Sequence, residues 1–211
     1  MFTGLVEEVS KVRNVSKSSL GARLCIEASF CSEMKVGDSV SANGACQTVI
    51  SLQKETFEIE VMNETLRLTN LTDSKYVNLE RSMKADGRFD GHFVSGHIDG
   101  TAVFISIKPD GFSKVMRFEY PTGQIILKGS ICVNGVSLTV SAVEDNYFEV
   151  SIIPHTLENT NLGLLREGEV VNIETDMIAK YMHKYTTSLL SGVRSAKVSN
   201  ISESFLKEHG F

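Results

Sequence analysis

The sequence lacks several features by which common protein classes are recognised. It has no tryptophan, 3 prolines and only 4 cysteines in 211 residues. No Cys-x-x-Cys pair is present, and no histidine lies at zinc-ligand spacing from a cysteine pair, so we expect no metal site. A disulfide framework is not expected either, because cysteines are few and no basic, apolar export signal opens the chain.

Other absences concern membranes, nucleic acids and phosphates. No run approaches the roughly 20 apolar residues of a membrane helix. The 21 basic and 26 acidic residues give a net charge of −5, which argues against broad binding to nucleic acid or anionic membranes. Phosphate-binding glycine loops and the common hydrolase motifs are missing. With 42% hydrophobic residues, the chain is typical of a globular protein. The few cysteines and the missing export signal lead us to expect it in a reducing cytoplasm.

The sequence contains an internal duplication. Residues 43–49, Asn-Gly-Ala-Cys-Gln-Thr-Val, match residues 134–140, Asn-Gly-Val-Ser-Leu-Thr-Val, at an offset of 134 − 43 = 91. Further matches follow in the same order at offsets of 91 to 94: 64–66 with 155–157, 69–71 with 160–162, and 77–80 with 171–174. Such ordered matches indicate two copies of one structural unit.

Each copy has the pattern of a small β-barrel. Apolar and polar residues alternate in several short segments, and Asn-Gly between two apolar runs is a strong hairpin signal. About six short strands per copy favour a closed barrel, because closure removes exposed strand edges. The sequence therefore predicts a mainly all-β fold of two tandem six-stranded β-barrels, with single helical turns near residues 64 and 156.

A C-terminal helix follows the second copy. We expect the N-terminal barrel at 1–91, the C-terminal barrel at 92–175, the helix at 176–190 and a loosely held tail at 191–211. Thr175 or Asp176 is the expected N-cap. Steps of three and four residues place one apolar stripe on this helix, formed by Ile178, Tyr181, Met182, Tyr185 and Leu189. The first copy has no equivalent, so the helix either packs between subunits or covers a barrel end.

The duplicated Asn-Gly motifs present candidate reactive side chains. Cys46 and Thr48 lie two residues apart and share one face of a strand, as do Ser137 and Thr139. Cysteine and threonine are also ordinary strand residues, so a single copy would indicate packing alone. Two copies, in which threonine is kept while cysteine becomes serine, indicate one ligand-binding frame in two versions.

Two histidines and one lysine are further candidates. His92 and His97 are five residues apart and would face opposite sides of a strand, which disfavours a shared metal ion. Either could transfer a proton near neutral pH, although a lone histidine is often a surface or capping residue. Lys128 precedes Gly129 at a turn, where it could simply be solvated.

Together, these motifs resemble the riboflavin synthases of the α-chain type. The resemblance runs in order from Met1 to about Tyr185 and rests on residues 1–4, 43–49, 89–98, 134–140 and 154–158. It implies a transferase for the last step of riboflavin biosynthesis, without cofactor or metal. Two molecules of 6,7-dimethyl-8-ribityllumazine would give riboflavin and 5-amino-6-(ribitylamino)uracil by four-carbon transfer. It also implies a homotrimer held by the C-terminal helix, with sites between subunits, and leaves contact with lumazine synthase open.

The resemblance assigns one lumazine pocket to each copy. The first would contain Gly4, Leu5, Val6, Cys46, Gln47, Thr48, Glu60, Val61, Met62, Asn63, Glu64 and Thr65. The second would contain Gly96, His97, Ile98, Lys128, Ser137, Leu138, Thr139, Ser151, Ile152, Ile153, Pro154, His155 and Thr156. The expected catalytic groups are Cys46, His97, Ser137 and Thr139. We expect Cys46 to act in the first pocket and Ser137 with His97 in the second.

Two positions depart from the family pattern, and two other functions compete. Asn134 stands where the family usually has aspartate, which puts a proton-transfer role there in doubt, and Gln47 replaces a commoner apolar residue. The main alternative is a non-catalytic lumazine- or flavin-binding protein, but such relatives tend to lose the paired motifs that this chain keeps. A flavin-binding reductase barrel is disfavoured because two barrels leave no room for a nicotinamide domain.

Overall fold

The computed structural model describes residues 1–195 and 207, with side chains described for residues 1–189 and 207. Its first barrel is closed by six antiparallel strands in the order β1-β2-β5-β4-β3-β6. These strands are β1 (Glu8–Ser18), β2 (Gly21–Glu27), β3 (Ser39–Ala42), β4 (Ala45–Leu52), β5 (Thr56–Met62) and β6 (Tyr76–Arg81). A short 3₁₀ helix (Cys31–Glu33) precedes β3, and helix α1 (Asn63–Leu68) follows β5.

The second barrel repeats this arrangement. Its closed order is β10-β11-β8-β7-β12-β9. Its strands are β7 (Gly100–Asp110), β8 (Ser113–Glu119), β9 (Ser130–Val133), β10 (Val136–Glu144), β11 (Tyr147–Ile152) and β12 (Val170–Thr175). Helix α2 (Pro154–Glu158) and a 3₁₀ turn (Asn161–Leu164) follow β11. The predicted pair of six-stranded barrels is confirmed.

Each barrel has its own apolar core, built by the period-two alternation of its strands. In the first barrel, Phe57 and Ile59 of β5 point inward and are fully buried. In the second, Phe104, Phe118 and Phe148 form a chain of rings with centroid separations of 5.6 and 5.4 Å. Burying each such side chain contributes about 1.5–3 kcal/mol, so each barrel has a stabilising core of its own.

The two barrels meet where their Asn-Gly turns lie back to back. Asn43 and Asn134 both have φ 46°, and the glycines after them have φ 83° and 81°, as two-residue hairpin turns require. A Cβ atom on Gly44 would lie 2.9 Å from the amide nitrogen of Gly135, and one on Gly135 would lie 2.8 Å from that of Gly44. The contact between the barrels therefore requires glycine at both positions.

Six buried asparagines, the amide network, surround these turns and join the barrels. They are Asn43, Asn70 and Asn78 of the first barrel and Asn134, Asn161 and Asn172 of the second. The Asn78 side-chain amide donates to the Asn134 carbonyl at 2.8 Å, and the Asn172 amide donates to the Asn43 carbonyl at 2.9 Å. Buried amides are costly without partners, so the network fixes one mutual orientation of the barrels.

The segment before β1 and the linker between the barrels also pair with each other. Phe2 and Val94 exchange two backbone hydrogen bonds of 2.8 and 3.2 Å. Their side chains form a small apolar cluster with Cys132, with Cys46 packed against it. This pairing ties the two segments to each other and to both barrels.

The C-terminal helix α3 spans Met177–Ser195. The Asp176 carboxylate accepts hydrogen bonds from the backbone amides of Ile178 and Ala179, so Asp176 is the N-cap. The helix continues five residues beyond its predicted end at 190; the rest of the predicted tail, apart from residue 207, lies outside the described residues. Within the described part, no helix is long and apolar enough to cross a membrane.

We expect Asn78→Ala to destabilise the protein strongly. The change removes the donor to the Asn134 carbonyl and the acceptor of the Asn161 backbone amide, which is bonded at 2.7 Å. Leaving such buried groups unpaired should lower the free energy of unfolding by about 2–4 kcal/mol in urea titrations. The control is Asn14→Ala on an exposed part of β1, expected to change it by less than about 0.5 kcal/mol. Equal effects would contradict the account.

Candidate functional site

The outward faces of β4 and β10 carry the duplicated motif. Cys46 and Thr48 share one face of β4, and Ser137 and Thr139 share one face of β10, as predicted; in both strands this is the outward face. The residues between them, Gln47 and Leu138, are buried and alternate to the barrel interior. A ligand beside either strand would therefore meet the backbone, but not the side chains, of these two residues.

The glycine segments lie on the opposite barrel from the one expected. The Cys46 amide donates to the Gly96 carbonyl at 2.9 Å, and the Ser137 amide donates to the Gly4 carbonyl at 2.8 Å. Val6 packs on the core of the second barrel and Ile98 on that of the first. The sequence-based grouping is corrected: the Gly4 segment (Gly4, Leu5, Val6) accompanies Ser137, and the Gly96 segment (Gly96, His97, Ile98) accompanies Cys46.

These two contacts are too close for any residue but glycine. Gly4 and Gly96 have φ 77° and 82°, in the left-handed region. A Cβ atom at Gly4 would lie 2.6 Å from the Ser137 Cβ, and one at Gly96 would lie 2.5 Å from the Cys46 Cβ. Each glycine backbone therefore forms a wall directly beside a candidate reactive side chain.

His92, and not His97, is the hydrogen-bond partner of Ser137. The His92 Nδ1 atom lies 2.6 Å from the Ser137 Oγ atom. His92 is buried, and burial lowers its pKa, although Asp176 and Glu174 act in the opposite direction. A neutral imidazole can accept the serine proton at Nδ1. His97 is exposed on the Gly96 segment beside Cys46, so the expected pairing of Ser137 with His97 is corrected.

Lys128 occupies a strained turn position. Its φ is 65°, and its amide donates to the Val140 carbonyl at 3.0 Å. The equivalent residue of the first copy is Gly37, with φ 96° and an equivalent bond to Val49 at 2.9 Å. A left-handed lysine costs about 1–2 kcal/mol, and such strain often marks a functional position. The Lys128 side chain is exposed at this turn and remains a candidate ligand contact.

The remaining predicted contacts lie within β5 and β11, the strands next to β4 and β10, or directly after them. Val61 and Ile152 are buried in the barrel interiors. The others lie at the surface or only partly buried: Glu60, Met62, Asn63, Glu64 and Thr65 in the first copy, and Ser151, Ile153, Pro154, His155 and Thr156 in the second. Glu60 also pairs with Arg23 at 2.6 Å.

Asn134 belongs to the contact between the barrels and does not face outward from β10. Its side-chain oxygen accepts hydrogen bonds from the Asn172 backbone amide at 2.8 Å and the Asn70 side chain at 3.2 Å. The Asn134 side chain therefore has a structural role, because both its oxygen and its nitrogen bond within the amide network.

Cys46 and Ser137 lie outside two clefts of the molecule, although Leu5 of the Gly4 segment lines the first of them. A cleft of about 850 Å³ lies at β3 and β6 beside Arg81 and Lys84. Another, of about 700 Å³, lies between the barrels beside Arg67 and Arg166. Neither includes Cys46 or Ser137, and Thr48 and Thr139 are exposed. A small ligand at either motif would thus lie on an open surface of the single chain.

Comparison with known proteins gives the class first. The lumazine binding domain family matches residues 3–82 and 95–176, one match for each barrel. The structure of LumP with 6,7-dimethyl-8-(1'-D-ribityl) lumazine covers 83% of this chain and 99% of its own, at TM-score 0.76 and 22% identity. The complex of LumP with riboflavin gives TM-score 0.75 at 23% identity, with the same coverage. The molecule is therefore a tandem pair of lumazine-binding barrels.

Closer relatives define the family more narrowly. The riboflavin synthase of Actinobacillus pleuropneumoniae is 43% identical, and that of Bacillus subtilis (strain 168) is 39% identical, each aligned over the whole of both chains. The riboflavin synthase of Photobacterium phosphoreum is 34% identical over all of this chain and 99% of its own. The chain belongs to the riboflavin synthase family, whose members are transferases.

We expect Lys128→Gly to raise stability while lowering ligand affinity. Glycine adopts the left-handed conformation without strain, so the free energy of unfolding should rise by about 1 kcal/mol. With riboflavin as the probe, the dissociation constant should rise several-fold in a fluorescence titration because the ammonium group is lost. Gly37→Lys is the matched control and should destabilise without weakening the Ser137 side. Unchanged affinity in Lys128→Gly would contradict a ligand role.

Proposed function

We propose that the protein converts two molecules of 6,7-dimethyl-8-ribityllumazine into one riboflavin and one 5-amino-6-(ribitylamino)uracil. One lumazine gives up a four-carbon unit and the other accepts it. The two products together contain all the atoms of the two substrates, so the reaction balances without an external oxidant or reductant. The observation that carries the proposal is the repeated binding frame, which presents Cys46 in one copy and Ser137 in the other within a riboflavin synthase chain.

A reaction between two identical molecules needs two similar sites with different chemical roles. We assign one lumazine to the Cys46 pocket, with Thr48 and the Gly96 segment, and one to the Ser137 pocket, with Thr139 and the Gly4 segment. Holding two reactants in a productive geometry can contribute roughly 7–11 kcal/mol to catalysis. The duplicated frame suits this task because each repeat offers equivalent backbone groups and a threonine to one lumazine molecule.

The difference between the pockets supports a division of roles. In the Ser137 pocket, the hydroxyl lies 2.6 Å from a buried imidazole nitrogen. We assign Ser137 to activating one lumazine at C7. Either the Ser137 Oγ atom bonds to C7 and its proton passes to His92 Nδ1, or a water oxygen bonds to C7, gives its proton to Ser137, and the serine proton passes to His92 Nδ1; in both cases the ring takes up the electron pair. In the Cys46 pocket, the candidates for removing the proton of the acidic 7-methyl group are Cys46 and His97.

We also propose a homotrimer with sites completed by the neighbouring subunit. The apolar α3 stripe is solvent-exposed in the single chain: Ile178 63%, Tyr181 65%, Met182 62%, Tyr185 72% and Leu189 63%. Because this stripe is exposed in the single chain, we favour packing between subunits over the covering of a barrel end. The open surfaces at Thr48 and Thr139 fit pockets that another subunit closes.

Two further expectations remain proposals. The four cysteines are free thiols, which suits the reducing cytoplasm that we propose as the location. Contact with lumazine synthase is a proposal to which we assign no surface.

The turnover test uses the purified full chain with 6,7-dimethyl-8-ribityllumazine and EDTA, without added cofactor. We expect riboflavin and the pyrimidine product to appear one to one, with two lumazines consumed per riboflavin. The absorbance of riboflavin and chromatography of the pyrimidine measure both products. Tight binding of lumazine without turnover would contradict the proposal and indicate a non-catalytic binding protein.

The α3 stripe has its own test. Tyr181→Glu combined with Tyr185→Glu should disperse the trimer into monomers, because desolvating two carboxylates disfavours an apolar interface. Sedimentation velocity should report the monomer, and turnover should fall by about a hundredfold or more since loss of alignment removes several kcal/mol. Phe112→Ser, at the fully exposed turn before β8, is the control and should leave both unchanged. An active trimer in the double variant would contradict the assembly.

A further inference from the structure

Two buried carboxylates occupy equivalent places in the two barrels. Glu80 lies at the end of β6 and Glu174 at the end of β12, and both are almost completely buried. Among the described residues, neither takes part in an ion pair. Burial raises the pKa of Glu80, while the hydrogen bonds that it accepts act in the opposite direction. Burying a charged group without a cationic partner is costly. The presence of such a carboxylate in both barrels therefore suggests that each one has a specific role.

Each carboxylate accepts three hydrogen bonds from a segment that leads away from its own barrel. Glu80 accepts from the Thr3 amide at 2.7 Å, the Thr3 hydroxyl at 2.8 Å and the Gly4 amide at 3.0 Å. Glu174 accepts from the Ser95 amide at 2.7 Å, the Ser95 hydroxyl at 2.6 Å and the Gly96 amide at 2.9 Å. Three converging donors match a carboxylate, which offers only acceptors.

The same glycines carry this contact across to the opposite barrel. Gly4, held by Glu80, accepts the amide of Ser137 at 2.8 Å, and Gly96, held by Glu174, accepts the amide of Cys46 at 2.9 Å. Neither glycine has room for even a Cβ atom beside its partner. A small shift of either segment therefore changes the wall of the pocket in the other barrel.

We propose that Glu80 and Glu174 are positioning residues whose effects cross between the repeats. Glu80 of the first barrel fixes the Gly4 segment of the Ser137 pocket, and Glu174 of the second barrel fixes the Gly96 segment of the Cys46 pocket. This inference rests on the proposed function, since it concerns the same two lumazine pockets. Replacement by glutamine would turn an NH₂ group toward a donor and push the segment away.

The test reads each pocket separately, with riboflavin as the probe. Protection of Cys46 from iodoacetamide, located by mass spectrometry, reports the first pocket. Protection of the thiol introduced by Ser137→Cys reports the second, in a variant used only for binding. In Glu80→Gln, the riboflavin concentration for half protection should rise about tenfold at position 137, the factor expected for one charge-assisted hydrogen bond. It should stay within about twofold at Cys46.

Glu174→Gln should give the reverse pattern, with protection lost at Cys46 and kept at position 137. Glu119→Gln, on an exposed part of β8, is the matched control and should change neither. If the glutamine variants do not fold, Thr3→Ala and Ser95→Ala remove one of the three donors and should give the same crossed pattern with smaller shifts. Equal weakening of both pockets, weakening in the carboxylate's own barrel, or no weakening would overturn the inference.

Turnover separates this inference from the proposed function. Either glutamine variant should lower kcat/KM by about tenfold, on the same hydrogen-bond reasoning. If the parent chain binds riboflavin but makes none from lumazine, the proposed reaction fails while the crossed protection pattern still stands. If the parent turns over normally and the pattern is absent, only the positioning role fails.

Discussion

The contact between the two Asn-Gly turns is the constraint on which the rest of the structure depends. The turns approach so closely that only glycine fits at residues 44 and 135. Around them, the amide network includes hydrogen bonds that cross from one barrel to the other, and these require the barrels to be docked in this orientation. Because unpaired buried amides are costly, the network selects this orientation over others that would bury similar apolar area.

That orientation brings the parts of each candidate site together. It holds Phe2 beside Val94, and from there the chain carries each glycine segment onto the opposite barrel. Each pocket thus combines a strand from one repeat with a wall supplied by the other. The duplication gives two copies of a frame, and a few positions make the copies different. Cys46 corresponds to Ser137 and Gly37 to Lys128, and the linker places the His92 imidazole beside Ser137. Such differences suit a reaction in which identical molecules take unlike roles.

Much of the fold could be predicted from the sequence. The repeat, the strand alternation and the Asn-Gly turns are local signals, and they indicated two six-stranded barrels, confirmed by the structure. The stripe at Ile178 and Tyr181 predicted α3, because helical periodicity is also local. The crossing of the glycine segments could not be predicted in this way. Alternation tells which face of a strand is buried, but not which barrel a neighbouring segment lies on.

Local sequence signals could not distinguish His92 from His97 as the partner of Ser137 either. Both flank Ser95 and Gly96, and only the folded chain shows that His92 is buried beside Ser137 while His97 is exposed. The sequence shows that Asn134 replaces a common aspartate of the family. Its structural role depends on partners far away in the sequence, such as Asn70. A repeated signal did exist for Glu80 and Glu174, which end the matching blocks 77–80 and 171–174, but their hydrogen bonds could be identified only from the structure.

A crystal structure of the protein with riboflavin bound would test the central claim most directly. We expect ligand in contact with Cys46 and the Gly96 segment in one pocket, and with Ser137, Lys128 and the Gly4 segment in the other. Ligand that contacts Cys46 together with Gly4, or Ser137 together with Gly96, would contradict the crossed arrangement of the repeats.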